Sequence, residues 1–393
     1  MSDKKRLLLV DDEPAVLKVM ERIMRLSLDC EITTATSGQE GLAIMETKPF
    51  DAVISDFKMP GMDGAEFLDV VQELYPSTTR LIFSARSGGD CALRTIGSAH
   101  QYFLKPTDLN VITQKIERVF KLRSLLPEQG LERVVSHIHA LPSLPAIYSE
   151  LEAEIRRPDA SGEKIGHILE RDVSMSAKVL QMVNSAFFGL RDHVSRPSAA
   201  AALLGISMLK ALVLAAHVFS EWRDDVPGFS INQLSGHCQK VAEGARRIAL
   251  AEGLNRERAD EFYVAGLFHD IGKLVIASHL PQSYQAIGRV MGDSQKSEID
   301  AEKEVMGTTH GETGAYLMAL WGFSEEVVTC CAFHHHPSES IVHGFSPLVA
   351  VHVANAFDRK VPTKPEDQID MAYLEKEGLS NRLPAWGQAC VNG

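Results

Sequence analysis

Over residues 1–107 short apolar runs alternate with amphipathic segments. Five runs predict strands: Arg6–Val10, Glu31–Ala35, Ala52–Ser55, Arg80–Ser84 and Gln101–Leu104. Between them, 14–26, 38–46 and 64–74 carry apolar residues at helical spacing. Strand and helix in alternation predict a doubly wound five-stranded parallel sheet. Pro14 suits a first helical turn, where a missing N–H does no harm. The stretch 84–97 is weak as a helix, with Ser87, Gly88 and Gly89, which fits a segment that must move and equally a plain loop. From Leu109 a helical pattern of Val111, Ile112, Ile116, Val119 and Phe120 runs toward Leu126, and Pro127 and Gly130 then break it. A second apolar helical pattern at 131–138 leads into Leu141-Pro-Ser-Leu-Pro145. Beyond it, apolar residues recur at spacings of three and four with no strand-type alternation, which predicts an all-α domain. The expected organisation is α/β over 1–125, a helical linker over 126–140, and an all-helical domain over 141–393.

Composition narrows the class of protein. The 393 residues are 45% hydrophobic and 23% charged, ordinary for a soluble globular protein long enough for two or three cores. A net charge of −12 argues against a broad nucleic-acid-binding surface. The basic start (Lys4, Lys5, Arg6) is followed by an apolar run that stops at Asp11, unlike a secretory signal. The stretch 199–219 is interrupted by Lys210 and His217 and is rich in Ala and Gly, so it reads as a buried helix and not a membrane span. The six cysteines, at 30, 91, 238, 330, 331 and 390, form no Cys-x-x-Cys pair and read as reduced thiols. A cytoplasmic protein without a membrane segment is expected.

The chemistry gathers at strand ends. Asp56 follows the apolar run Ala52–Ser55 and precedes a turn carrying Pro60, Gly61 and Gly64. Asp11 and Asp12 follow Leu7–Val10. In a parallel sheet these acids converge at the C-terminal edge, where sites form. Three carboxylates there repel each other unless a cation sits among them, and oxygen-only ligands suit Mg²⁺. Asp56 is then a candidate carboxylate nucleophile for a phosphoryl group. Ser84 ends another strand and Lys105, before Pro106, follows the last; a hydroxyl and an ammonium can hold the oxygens of an acyl phosphate.

These residues, in order, resemble the receiver domain of two-component response regulators: Asp11/Asp12, Asp56, the Met59-Pro-Gly-Met-Asp-Gly64 run, Ser84, Tyr102 and Lys105-Pro106. The resemblance covers about 1–125 and implies a flavodoxin-like fold, Mg²⁺ held by Asp11, Asp12 and Asp56, and Asp56 as acceptor. It also implies Ser84, Lys105 and Tyr102 as switch residues, and a sensor histidine kinase as phosphodonor.

The remainder holds a histidine series: His237, His269-Asp270, His310 and His334-His335-His336. His269-Asp270 interrupts the apolar run Ala265-Gly-Leu-Phe-His-Asp-Ile-Gly-Lys273. Imidazoles and a carboxylate from several helices can encircle a divalent metal and activate water on a phosphoester. Leu141-Pro-Ser-Leu-Pro145, Arg171-Asp172, Leu180-Gln-Met-Val-Asn-Ser-Ala-Phe-Phe-Gly189 and Ala202-Leu-Leu-Gly205 resemble the HDOD output domain, with Val173 where that family usually has Pro. The histidine order resembles the HD phosphohydrolases, including the branch that cleaves cyclic dinucleotides. That resemblance implies His237, His269, Asp270, His310, His334 and His335 as metal ligands for Fe, Mn or Zn, and Lys273 as a phosphate contact. Two departures weigh against turnover. Asn355 stands where the family has a later Asp ligand, and Pro337-Ser-Glu-Ser340 replaces a Gly-Tyr-Pro signature. Most HDOD relatives have lost the metal residues altogether. His336 and His343 read as surface residues. Met175, Met182, Phe187 and Phe188 sit at helical spacing and read as core.

The resulting expectation is a response regulator whose phosphorylated receiver controls an HDOD interaction output toward a downstream signalling protein, with self-pairing as a homodimer open. The alternative is a phosphorylation-gated metal phosphohydrolase acting on a nucleotide or cyclic dinucleotide.

Overall fold

The computed structural model describes residues 4–85, 98–123, 138, 141–157, 159–184, 194–214, 220–222, 226–294, 296–358 and 368–391. The break at Pro127 and Gly130, the 131–137 pattern, the 86–97 stretch, Phe187, Phe188 and Cys91 lie outside the described residues, as does most of the expected linker.

The front of the chain is β1 (Lys5–Val10), α1 (Pro14–Ser27), β2 (Cys30–Ala35), α2 (Gly38–Thr47), β3 (Ala52–Ser55), α3 (Gly64–Leu74), β4 (Thr79–Ser84), β5 (Gln101–Leu104) and α4 (Leu109–Arg123). The strands form one parallel sheet in the order β2-β1-β3-β4-β5. Strands covered on both faces read as continuous apolar runs, and β3 and β4 are buried along their whole length. Successive side chains point to opposite faces. Leu7, Leu9, Phe83 and Phe103 pack with Leu17 and Met20 of α1 and Ile112 and Ile116 of α4. Leu8, Val10, Ile82 and Tyr102 pack with Met45 of α2 and Phe67 and Val71 of α3.

Behind it come a two-residue strand β6 (Pro142–Ser143), then α5 (Pro145–Arg156), α6 (Gly162–Glu170), α7 (Val173–Val183), α8 (Pro197–Leu214), β7 (Ser220–Glu221), α9 (Ile231–Ala251) and α10 (Arg256–Phe268). They are followed by α11 (Ile271–His279), α12 (Pro281–Ser294), α13 (Glu298–Met306), α14 (His310–Leu320), α15 (Glu325–Phe333), α16 (Pro347–Asp358), α17 (Met371–Lys376) and α18 (Leu383–Val391). The expectation of helices alone needs one correction: β6 pairs in parallel with β7. A two-residue bridge is too short to leave any alternation in the sequence. The apolar stretch from 199 is helical in α8, but Gly205 breaks it with φ of 73°. Among the described residues no helix is long and apolar enough to cross a membrane. Met175 and Met182 are core, as expected, and Cys30, Cys238, Cys330, Cys331 and Cys390 are free thiols.

Two separated motifs meet at one carboxylate. Asp172 caps α7 by accepting from Met175 N at 2.8 Å, and its other oxygen accepts from Leu144 N at 2.6 Å. Ser174 Oγ donates to Pro142 O at 2.6 Å. Asp172→Ala removes the cap and leaves a buried N–H unpaired, so it is expected to cost about 2–4 kcal/mol. Urea unfolding of the full chain checks this; a change under about 1 kcal/mol would show that the junction is not held by Asp172.

Candidate functional site

Two clusters of chemical groups stand apart in the molecule, the first at the C-terminal edge of the sheet. Asp11 directly follows β1, Asp56 follows β3, Ser84 ends β4 and Lys105 follows β5. The Lys105 ammonium bridges Asp11 Oδ2 at 2.6 Å and Asp56 Oδ1 at 2.7 Å. Asp56 Oδ2 accepts from Lys58 N at 2.6 Å, and Asp11 Oδ1 accepts from Glu13 N at 2.9 Å. Ser84 is buried, and its carbonyl accepts from Lys105 N at 2.7 Å.

The turn after Asp56 explains its own glycines. A Cβ on Gly64 would lie 2.1 Å from Asp56 O, so only glycine lets α3 begin against the loop after Asp56. Asp63 and Glu66 close the start of that helix with a reciprocal capping box. Burial pushes the Asp56 carboxyl above its usual range, while Lys105 and the Lys58 N–H pull against that. Burial works to lower Lys105, but Asp11 and Asp56 outweigh it and hold the ammonium charged. Asp12 is exposed, and the three acids are not drawn to ligand distance of one another. Their all-oxygen donor set nonetheless suits a hard cation such as Mg²⁺. Tyr102 is buried among the apolar residues beneath α3.

The second cluster lies inside the helical domain. His237 comes from α9, His269 and Asp270 from the junction of α10 and α11, His310 from the first residue of α14, and His334 and His335 from the end of α15. All six residues meet around Asp270, which is 1% exposed. Asp270 Oδ2 faces His237 Nε2 at 3.6 Å and His269 Nε2 at 3.5 Å. Its Oδ1 faces His310 Nε2 at 3.1 Å and His334 Nε2 at 3.3 Å. His335 Nε2 lies 3.2 Å from His310 Nε2. The result is two ligand groups that share Asp270: His237 and His269 on one side, His310, His334 and His335 on the other. A Cβ on Gly272 would lie 1.9 Å from His310 O, so the glycine two residues after Asp270 permits this approach of α11 to α14.

The outer nitrogens decide what the inner ones offer. His269 Nδ1 is 2.7 Å from Gly266 O, and His334 Nδ1 is 3.1 and 3.0 Å from the carbonyls of Cys330 and Cys331. His237 Nδ1 is 2.7 Å from Asp358 Oδ2, and His310 Nδ1 is 2.8 Å from both Glu302 oxygens. An Nδ1 facing an oxygen must be the N–H donor, so a neutral ring turns a bare Nε2 lone pair inward. His269 Nε2 and His334 Nε2 are buried without a hydrogen bond. Each such group costs roughly 1–3 kcal/mol when left unpaired. A divalent cation among them removes that cost, and an imidazole-rich set suits Zn or Fe.

Charge follows the same geometry. Burial opposes ionisation of Asp270, but Lys273 and the surrounding histidines hold it well below the usual carboxylate range. Burial drives His269 and His334 down, toward the neutral ring. For His310 burial acts downward too, yet the Glu302 carboxylate prevails and raises it to about 9. Lys273 Nζ bridges Asp270 Oδ2 and Glu298 Oε2, each at 3.0 Å.

Every ligand residue expected from the sequence is therefore gathered here, and Lys273 stands beside them. Asn355 is buried on α16 with its Oδ1 unpartnered. His343 pairs with Glu377 at the surface. Sequence reasoning missed Glu302, Asp358 and Glu298, ordinary acids on helices with no signature of their own. It also set aside His352, which takes part in the frame: its Nδ1 meets His334 O at 2.7 Å and its Nε2 accepts from Asp370 N at 2.9 Å.

Comparison with known proteins divides the chain the same way. Residues 7–117 match the response regulator receiver domain and residues 141–337 the HDOD domain. An uncharacterized protein of Treponema pallidum is 26% identical over 249 residues, 61% of this chain and 47% of that protein. The transcriptional regulatory protein GlrR of Escherichia coli is 34% identical over 113 residues, 28% of this chain and 25% of that protein. The chain thus spans less than half the length of these curated relatives. Among solved structures, the MmoQ response regulator of Methylococcus capsulatus aligns with a TM-score of 0.48 and 18% identity, over 64% of this chain and 94% of that one.

Proposed function

The chain belongs to the HDOD family and carries a response regulator receiver domain ahead of it, and we propose that phosphorylation of Asp56 gates a metal-dependent phosphohydrolase in its helical domain. In this reading a sensor histidine kinase supplies the phosphoryl group. The N–P bond of its phosphohistidine breaks, an O–P bond forms on Asp56, and the imidazole leaves with the electron pair. Lys105, already between Asp11 and Asp56, neutralises oxygens of the new acyl phosphate, and Ser84 caps another. Mg²⁺ held by Asp11, Asp12 and Asp56 would supply further charge neutralisation at the phosphoryl group.

In the helical domain one observation carries the reading: the Nδ1 atoms of four histidines are tied to oxygens, so that their Nε2 atoms face the two oxygens of the buried Asp270 carboxylate. Such a frame is expensive to keep without a cation and well formed for one. His237, His269, Asp270, His310, His334 and His335 would hold Fe, Mn or Zn, which supplies Lewis acidity toward a phosphoester. Lys273 would bind a phosphate oxygen by exchanging its pairing with Glu298. The substrate class is a nucleotide or a cyclic dinucleotide.

A second reading keeps the metal as structural and makes the helical domain a protein-interaction output toward a downstream signalling protein. Asn355, a neutral amide at the place of an acidic ligand, and the deep burial of Asp270 favour it. Metal analysis of the full chain, then a nucleotide panel with and without acetyl phosphate, separates the two. Bound metal with turnover that rises with acetyl phosphate is the expected result. Metal without turnover on any phosphodiester retires the hydrolase and leaves the interaction output; no metal retires the centre.

A further inference from the structure

Helix α14 touches both halves of the molecule. Its first residue, His310, sits in the metal centre, and its far end is held by the receiver. Over its 11 residues the axis spans about 16 Å, and all but Glu312 are buried. A helix C-terminus exposes unpaired carbonyls and carries partial negative charge, and cations or amide donors satisfy both. Here the receiver supplies one such donor to the last turn of α14, and two cations to the turn that joins α14 to α15. Gln101 Nε2 donates to Ala319 O at 3.0 Å, and Lys115 Nζ to Gly322 O at 3.4 Å. Arg118 donates to Phe323 O at 3.1 Å and to Ser324 O at 3.0 Å. Val119 of α4 enters the core of the helical domain. Across the same junction Gln181 Nε2 of α7 donates to His100 O at 3.1 Å.

This junction is imperfectly satisfied. Burial lowers Lys115 to about 8 and lowers Arg118 as well. Gln101 Oε1 and Gln181 Oε1 are buried with no hydrogen bond. A contact that desolvates two cations and leaves two amide oxygens unpaired is held by a narrow margin, the property a two-state element needs. Gln101 opens β5, and the same four-residue strand leads to Lys105, whose ammonium bridges Asp11 and Asp56.

We infer that α14 couples the two sites: acyl phosphorylation of Asp56, transmitted through Lys105 and β5, changes how Gln101 holds the last turn of α14 and how Lys115 and Arg118 hold the turn that follows it, and so the metal affinity of the group that contains His310. The inference rests on the metal-centre reading above. Linkage makes the effect reciprocal, because metal occupancy must change the receiver's affinity for a phosphoryl mimic by the same factor.

The test uses the full chain, cobalt(II) as the metal, excess Mg²⁺ on the receiver, and beryllofluoride as the acyl-phosphate mimic. Cobalt affinity is read from its visible absorption with and without beryllofluoride, and beryllofluoride affinity with and without cobalt. The expected result is a shift of about five-fold or more in both, equal in size and direction. Replacing Lys115→Ala together with Arg118→Ala should reduce both shifts below about two-fold while each ligand still binds; Gln101→Leu serves if that protein does not fold. Bound cobalt with no shift in the wild type, or a shift unchanged in a folded variant, overturns the coupling alone. Absence of any cobalt binding overturns the metal-centre reading and the coupling with it.

Discussion

Asp270→Asn is expected to lower the metal affinity of the helical domain by more than about 100-fold, beyond the 10–100-fold typical of removing a partner outside the ligand shell. Asp270 is the carboxylate around which five imidazoles stand, and both ligand groups include it. The amide keeps the shape but offers one weak acceptor where two charged oxygens stood. The substitution also acts without metal. Lys273 and His310 both face Asp270, at 3.0 and 3.1 Å, and lose a counter-charge in a buried site. Removing one partner of a buried pair costs about 3–5 kcal/mol. The lower end applies here, because Glu298 and Glu302 remain to pair Lys273 and His310. Elemental analysis and urea unfolding, each with and without a chelator, read the two effects separately. An Asn variant that retains metal like the wild type would mean that Asp270 is not a ligand.

Asp56→Asn should abolish phosphoryl uptake from acetyl phosphate, since Asp56 is the proposed acceptor, a strand-end acid whose Oδ1 meets the Lys105 ammonium and whose Oδ2 accepts from Lys58 N. The fold is expected to survive. Burial raises the Asp56 pKa, so the folded state disfavours its charged form. A carboxyl whose pKa rises on folding costs stability above the folded pKa and ceases to cost it below the unfolded one. A neutral amide removes that cost at neutral pH, and Lys105 keeps Asp11 as its partner. The variant should therefore unfold at the wild-type temperature or above it. Labelled acetyl phosphate and a thermal scan check both halves; label persisting on the variant would place the acceptor elsewhere.

The receiver half was legible because its signals are local. Continuous apolar runs identify strands buried on both faces, and each run ends within a residue of a candidate site residue: Asp11 after Val10, Asp56 after Ser55, Lys105 after Leu104. Topology then carries those ends to one edge. The helical half was legible in its class, in its HDOD motifs and in its histidines. Their order and the His269-Asp270 pair pointed to a centre. The helical pattern around them states burial, not which nitrogen faces inward. The β6–β7 bridge left no trace, since two residues show no period.

What the sequence determines by itself is the class of each segment and the inventory of its chemistry, because a strand's period of two, a helix's period near 3.6 and a glycine in a turn are properties of neighbours along the chain. The tertiary structure alone decides which ring nitrogen is tied and which is left bare. His237 finds its orienting acid in Asp358, 121 residues away, and Arg118 reaches the turn after α14 across 205. Pairings at such separations depend on how whole helices pack, and a linear pattern records that a face is covered without recording by what.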